Sequence, residues 1–211
     1  MDINMKELLD QINELKNNEI NDKVCCRIDE FKKLGKSNCS EIFKELCFCI
    51  LTANFSAERA IKIQKEINDG FLHDENISDR LKSLGYRFPN SRGRYICEAR
   101  RYKEDIKNII KSFDNSKELR AWVAKNVKGL GYKESSHFLR NIGFTDLAII
   151  DSHIIDILVK NNLIERPKST PSKRKYLEIE DILKDIAKEI DLNLAELDLY
   201  LWYLETNKVL K

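Results

Sequence analysis

Glycine and proline are scarce, at 7 and 3 of 211 residues. Sandwiches and barrels spend many more of both on their turns, and few stretches here alternate apolar with polar, so the chain reads as all-α. No apolar run approaches the ~20 residues of a membrane span, and no membrane partner is expected. An excess of one charge is also lacking. Lys and Arg number 37 against 35 Asp and Glu, a net charge of +2, which excludes a global basic field but leaves room for a local one. The six cysteines, at 25, 26, 39, 47, 49 and 97, follow no zinc or disulfide spacing and read as buried thiols of a reducing compartment. The opening stretch "MDINMKELLDQINELK" is amphipathic and acidic, not leader-like, so the expectation is a soluble cytoplasmic protein.

What is present is helix after helix. Residues 4–18 carry Met5, Leu8, Leu9, Ile12 and Leu15 on one stripe, and a second helix is expected over 20–34. "EIFKELCFCILTAN", 41–54, is apolar nearly all round, as a core helix is. Ser56 is a plausible cap for the next helix and Gly70 its end. A loop around Pro89-Asn90 leads into a basic helix, and "SKELRAWVAKNV" reads as an amphipathic helix opened by Ser116. After "FTDLAII" a helix starts near Asp151. A Pro- and Lys-rich connection over 165–176 precedes two last helices.

One stretch stands apart: "VKGLGYKESSHFLRNIG", 127–143. Gly129 and Gly131 allow a very tight turn between two helices. The N–H groups at the start of the second helix then point one way, and a DNA phosphate fits them. A plain αα-turn with a glycine cap is the blander reading, but the extended V-K-G-L-G-x-K match favours a helix-hairpin-helix that grips DNA. Lys133 sits in the first turn, where a cation is disfavoured. Only about one free lysine in a few thousand is neutral at pH 7, and the positive helix end with partial burial favours the amine. Lys133 is therefore a candidate Schiff-base nucleophile, or else a phosphate-binding lysine. Eighteen positions on, the apolar run 147–150 delivers Asp151 to a helix start. Asp151 is either a simple N-cap or the carboxylate that stabilises a sugar cation as a glycosidic bond breaks. His153 reads as a helix-face histidine.

At these residues the sequence resembles the helix-hairpin-helix–Gly/Pro–Asp superfamily of DNA glycosylases, over essentially the whole chain. The resemblance implies two helical domains flanking a base-binding cleft. One is a six-helix barrel over 36–145 ending in the hairpin at about 117–143; the other is formed by 1–35 plus 146–211. It implies that Lys133 attacks C1′ and forms the Schiff base, that β-elimination nicks the strand, and that Asp151 assists base loss. Four C-terminal cysteines mark the endonuclease III branch; no cysteine follows Cys97, so no iron–sulfur cluster is expected. "LTANFSAERA", "YRFPNSRGRYI" and "LWYLETNKVLK" look like the archaeal-type 8-oxoguanine DNA glycosylases.

That likeness implies a site beyond Lys133 and Asp151. The C-terminal Lys211 and its carboxylate are placed at the base pocket, where an acceptor pairs with the N7–H of 8-oxoguanine and repels the N7 lone pair of guanine. Trp202 either stacks on the extruded base or belongs to the core, since Leu199, Trp202 and Tyr203 have helical spacing. Phe88 is the candidate wedge that fills the emptied stack. Asn54 and Arg59 are spaced like the pair that meets the orphaned cytosine in the eukaryotic branch, and Arg92 is a candidate phosphate contact. The implied enzyme is a cytoplasmic, nucleoid-associated monomer acting on double-stranded DNA that contains 8-oxoguanine. It needs no redox cofactor and no catalytic metal, with a monovalent cation on the hairpin carbonyls. A glycosylase for an oxidised pyrimidine or alkylated base, or a non-catalytic helix-hairpin-helix module, are the alternatives.

Overall fold

A computed structural model describes residues 3–211, and among them every regular element is helical. The chain opens with α1 (Ile3–Lys16) and α2 (Glu19–Lys36). There follow α3 (Cys39–Thr52), α4 (Ala57–Ile67), α5 (Gly70–His73), α6 (Ile77–Ser83), α7 (Pro89–Ala99), α8 (Ile106–Lys111), α9 (Ser116–Asn126) and α10 (Tyr132–Asn141). Last come α11 (Ser152–Lys160), α12 (Lys173–Glu189) and α13 (Leu194–Thr206). Two compact units result. The middle unit is the unbroken stretch Lys32–Ile142; the end unit joins the chain up to Phe31 with Gly143–Lys211. No helix among the described residues is long and apolar enough to cross a membrane.

The middle unit is built around α3. Every residue from Ile42 to Thr52 is buried, as befits a helix surrounded on all sides, and α4, α5, α7, α8 and α10 pack against it. One carboxylate interrupts the apolar packing. Glu45, 3% exposed, accepts from Asn141 Nδ2 at 2.6 Å and from Gln64 Nε2 at 3.0 Å, so its charge is answered inside the core and the end of α10 is tied to α3. Helix α9 starts one residue earlier than its sequence suggests: Asn115 Oδ1, not Ser116, caps it by accepting from Glu118 N–H at 2.9 Å.

The cysteines depart from expectation. Cys47 and Cys49 are buried in α3, but Cys25, Cys26 and Cys97 are exposed and Cys39 is half-buried. The buried stripe of α2 is Ile20, Val24, Ile28 and Phe31, and residues 25 and 26 lie about 100° and 200° round the helix from Val24.

The end unit centres on α13, which packs on α1, α11 and α12. Asn193 opens it with a reciprocal cap: its side chain accepts from Glu196 N–H at 3.0 Å while Glu196 Oε2 accepts from Asn193 N–H at 3.0 Å. Tyr200 donates to Asn21 Oδ1 at 2.8 Å, joining α13 to α2. The basic connection ends sooner than expected, because Ser172 caps α12 by accepting from Lys175 N–H at 3.3 Å.

Candidate active site

The turn between α9 and α10 is short and internally bonded. Val127 N–H donates to Val123 O at 2.9 Å and Leu130 N–H to Val127 O at 3.2 Å. Its two glycines are there for different reasons. Gly129 has φ +88°, and a Cβ on it would lie 2.7 Å from Tyr95 Cδ2, so the fold itself requires glycine. Gly131 has φ −90° and ψ −166°, extended backbone that any residue adopts. A Cβ there would meet only Glu134 Oε2, at 3.4 Å. What the bare backbone at 131 gives is open access to the N–H groups that begin α10, which is what a phosphate needs.

Helix α7 lies against this turn. Tyr95 covers Gly129, and Lys128 pairs with Glu98 at 2.9 Å; the ammonium holds that carboxyl below the usual carboxylate range. Arg92 sits 5.6 Å from the Tyr95 ring centre and donates to Ala53 O at 3.2 Å, beside exposed Asn54 with its left-handed φ of 59°. Arg59 lies over Phe55 at 5.0 Å and donates to Gly85 O at 2.9 Å. Phe55 packs on Tyr86, whose hydroxyl donates to Leu51 O at 2.8 Å and is pushed up in pKa by burial. Phe88 is half-buried at the position preceding α7. The structure thus links the surroundings of Asn54, Arg59, Phe88, Arg92 and Gly129 through one set of contacts within the middle unit. The two arginines already hold neighbouring loops through part of their five-donor forks.

Lys133 is the second residue of α10, with its side chain 26% exposed and its ammonium 3.6 Å from Glu134 Oε1. The other oxygen of Glu134 accepts from Gly131 N–H at 3.2 Å. This acid escaped the sequence reading: there is no full reciprocal cap here, since glycine has no side chain, but a Glu three residues after the cap position is placed to reach back to the cap N–H. Tyr95 escaped it too, and carries no sequence signal beyond helical spacing.

Asp151 belongs to the end unit. It caps α11, Oδ1 accepting from Ile154 N–H at 3.0 Å, and is half-buried. The run 147–150 that delivers it is buried yet neither helix nor strand, so its backbone groups need partners from elsewhere. Helix α12 supplies them. Glu180 accepts from Ala148 N–H at 3.0 Å, and the Tyr176 hydroxyl donates to Ala148 O at 2.7 Å while accepting from Ile150 N–H at 3.3 Å. Trp202 is half-buried, its indole N–H enclosed and without a hydrogen-bond partner, and His153 meets its ring edge-on with centres 4.8 Å apart. Lys211 is half-buried. No group of three or more His, Cys, Asp or Glu among the described residues is arranged to hold a metal ion.

An all-helical chain whose tight hairpin bares the start of a lysine-bearing helix falls in the helix-hairpin-helix DNA glycosylase class. The profile of the 8-oxoguanine DNA glycosylase family matches residues 24–192. The 8-oxoguanine DNA glycosylase/AP lyase of Methanocaldococcus jannaschii is 56% identical over 206 residues, 97% of this chain and 99% of that one. A crystal structure of the Methanocaldococcus jannaschii glycosylase/lyase with a 15mer DNA containing 8-oxoguanine superposes with a TM-score of 0.94 at 57% identity, covering 97% of this chain and 100% of that one. The 8-oxoguanine DNA glycosylase of Thermotoga maritima gives 0.91 at 41% identity, over 98% and 100%. The chain belongs to the 8-oxoguanine DNA glycosylase family.

Proposed function

We propose that the protein is a bifunctional repair enzyme that excises 8-oxoguanine from double-stranded DNA and then cleaves the abasic site. The observation that carries this reading is the placement of Lys133, in the first turn of the helix whose bared N–H groups suit a phosphate. The Lys133 ammonium, released from Glu134, gives up a proton. Its amine attacks C1′ as the N-glycosidic bond breaks and the base leaves with the bonding electrons and a proton. The carboxylate of Asp151 stabilises the positive charge that develops on the sugar. The adduct opens to a Schiff base, which withdraws electrons so that the C2′ proton is lost and the 3′-phosphate departs. The lysine is regenerated when water hydrolyses the imine.

In the same reading Lys211 and Trp202 meet the base, Phe88 fills the stack, and Asn54, Arg59, Arg92, Gly129 and Gly131 meet the DNA. No redox cofactor or catalytic metal takes part. A monovalent cation on the hairpin carbonyls belongs to the same reading, since hard cations take oxygen ligands. The enzyme acts as a cytoplasmic monomer, on the nucleoid when engaged.

Borohydride trapping on duplexes bearing 8-oxoguanine, guanine or thymine glycol tests the reading, with wild type and Lys133→Gln. The expected result is a covalent adduct with 8-oxoguanine that disappears in the variant while DNA binding persists. No adduct on any lesion or on a preformed abasic site overturns the lyase mechanism. Trapping on thymine glycol alone keeps the mechanism and discards the substrate.

A further inference from the structure

Arg120, on α9, is 1% exposed, and no larger side chain among the described residues is fully buried. Enclosing a guanidinium is costly unless it is stacked and bonded, whereas leucine at the same place on an amphipathic helix would be favourable. Arg120 is stacked and bonded, and two of its contacts are to α10. Its Cζ lies 4.8 Å from the centre of the Tyr132 ring, and Nη1 donates to Ser136 Oγ at 3.3 Å.

Tyr132 and Ser136 are four residues apart and so share one face of α10. A planar cation that holds both, one turn apart, fixes the helix along its axis and also in rotation about it. Lys133 follows Tyr132 directly and projects about 100° further round. Its ammonium stands at the end of a long lever: with Cα atoms about 2.3 Å from the axis and an extended side chain beyond, a rotation of roughly 10° carries it about 1 Å.

We propose that Arg120 is a positioning residue for Lys133, clamping Tyr132 and Ser136 so that the first turn of α10 presents the amine in one orientation. The inference rests on the reading of Lys133 as the Schiff-base nucleophile. The stacking plane and the directed N–H are properties of arginine that lysine does not share.

The test uses the full chain and a duplex with a preformed abasic site, at a temperature where circular dichroism shows each variant folded. In Arg120→Met the single-turnover trapping rate is expected to fall on the order of 10- to 100-fold, while the dissociation constant for DNA stays within about twofold, because a displacement of roughly 1 Å at the reacting atom costs up to that much. Tyr132→Leu, which leaves the arginine but removes its platform, is expected to slow trapping likewise, and Tyr132→Phe to recover most of the loss. Should Arg120→Met not fold, the Tyr132 pair decides alone. A residue that only stabilises the fold would lower the melting temperature and leave the trapping rate of folded protein unchanged; that result overturns the proposal. Wild type that forms no adduct fails the nucleophile reading itself and takes the proposal with it, whereas wild type and folded variants trapping alike fail the positioning role alone.

Discussion

Gly129 and Gly131 stand two residues apart in one turn, and alanine separates their purposes. In Gly129→Ala the left-handed φ costs about 1–2 kcal/mol from the backbone alone, and Tyr95 must move to admit a Cβ at 2.7 Å. A lowered melting temperature is expected, together with weaker DNA binding as the turn shifts. Gly131→Ala meets no such obstacle and is expected to leave stability within about 0.5 kcal/mol. In the proposed function its methyl group instead stands where a phosphate approaches. Loss of one hydrogen bond to a charged group is worth about 1.5–3 kcal/mol, so the dissociation constant for DNA is expected to rise roughly tenfold or more. Thermal melts and fluorescence anisotropy on the two variants check this; a Gly131→Ala protein that binds DNA like wild type would remove the phosphate from that turn.

At the scale of elements, the 147–150 run depends on α12 for its hydrogen bonds, and Asp151 hangs from its end. Tyr176→Phe strips partners from the Ala148 carbonyl and the Ile150 N–H, each a buried group whose isolation costs about 1–3 kcal/mol. The expected outcome is lower stability together with a selective defect: excision of 8-oxoguanine slows more than trapping on a preformed abasic site, because in the proposed mechanism only base loss draws on Asp151. Comparing the two single-turnover rates checks it. This dependence also marks where sequence reasoning stopped. The core character of α3, the hairpin, the lysine and the capping aspartate were legible because periodicity, glycine spacing and cap chemistry are local. Tyr176 lies 28 residues beyond Ala148, and nothing in either residue's neighbourhood announces the pairing. Arg120 was hidden in the same way, since an arginine in an amphipathic helix looks solvated until the partner helix is placed on it. The cap of α9 was missed by one residue because Asn115 and Ser116 are both good caps and only geometry chooses between them.

For the molecule as a whole, Tyr200 gives stability a dependence on alkaline pH. It is 1% exposed, and burial first, then the neighbouring Cys25 and Glu196, push its hydroxyl up to about 12. In the unfolded chain the group titrates near pH ~10, so the fold favours the neutral phenol. Its contribution is full below about pH 10 and is lost as pH climbs from there to about 12. Tyr200→Phe lacks the bond to Asn21 and is expected to melt lower at neutral pH, but to lose less further stability than wild type across that window; melts of both from pH 9 to 12 check the difference. The division of the chain has another consequence, one of timing. During synthesis the middle unit has all its partners once Ile142 has left the ribosome, whereas the end unit waits for α13 to reach α1. The hairpin and its lysine therefore have all their packing partners while much of the end unit is still to be made. Until α13 is made, the growing polypeptide holds a finished middle unit beside an end unit that carries Asp151 but still lacks its central helix.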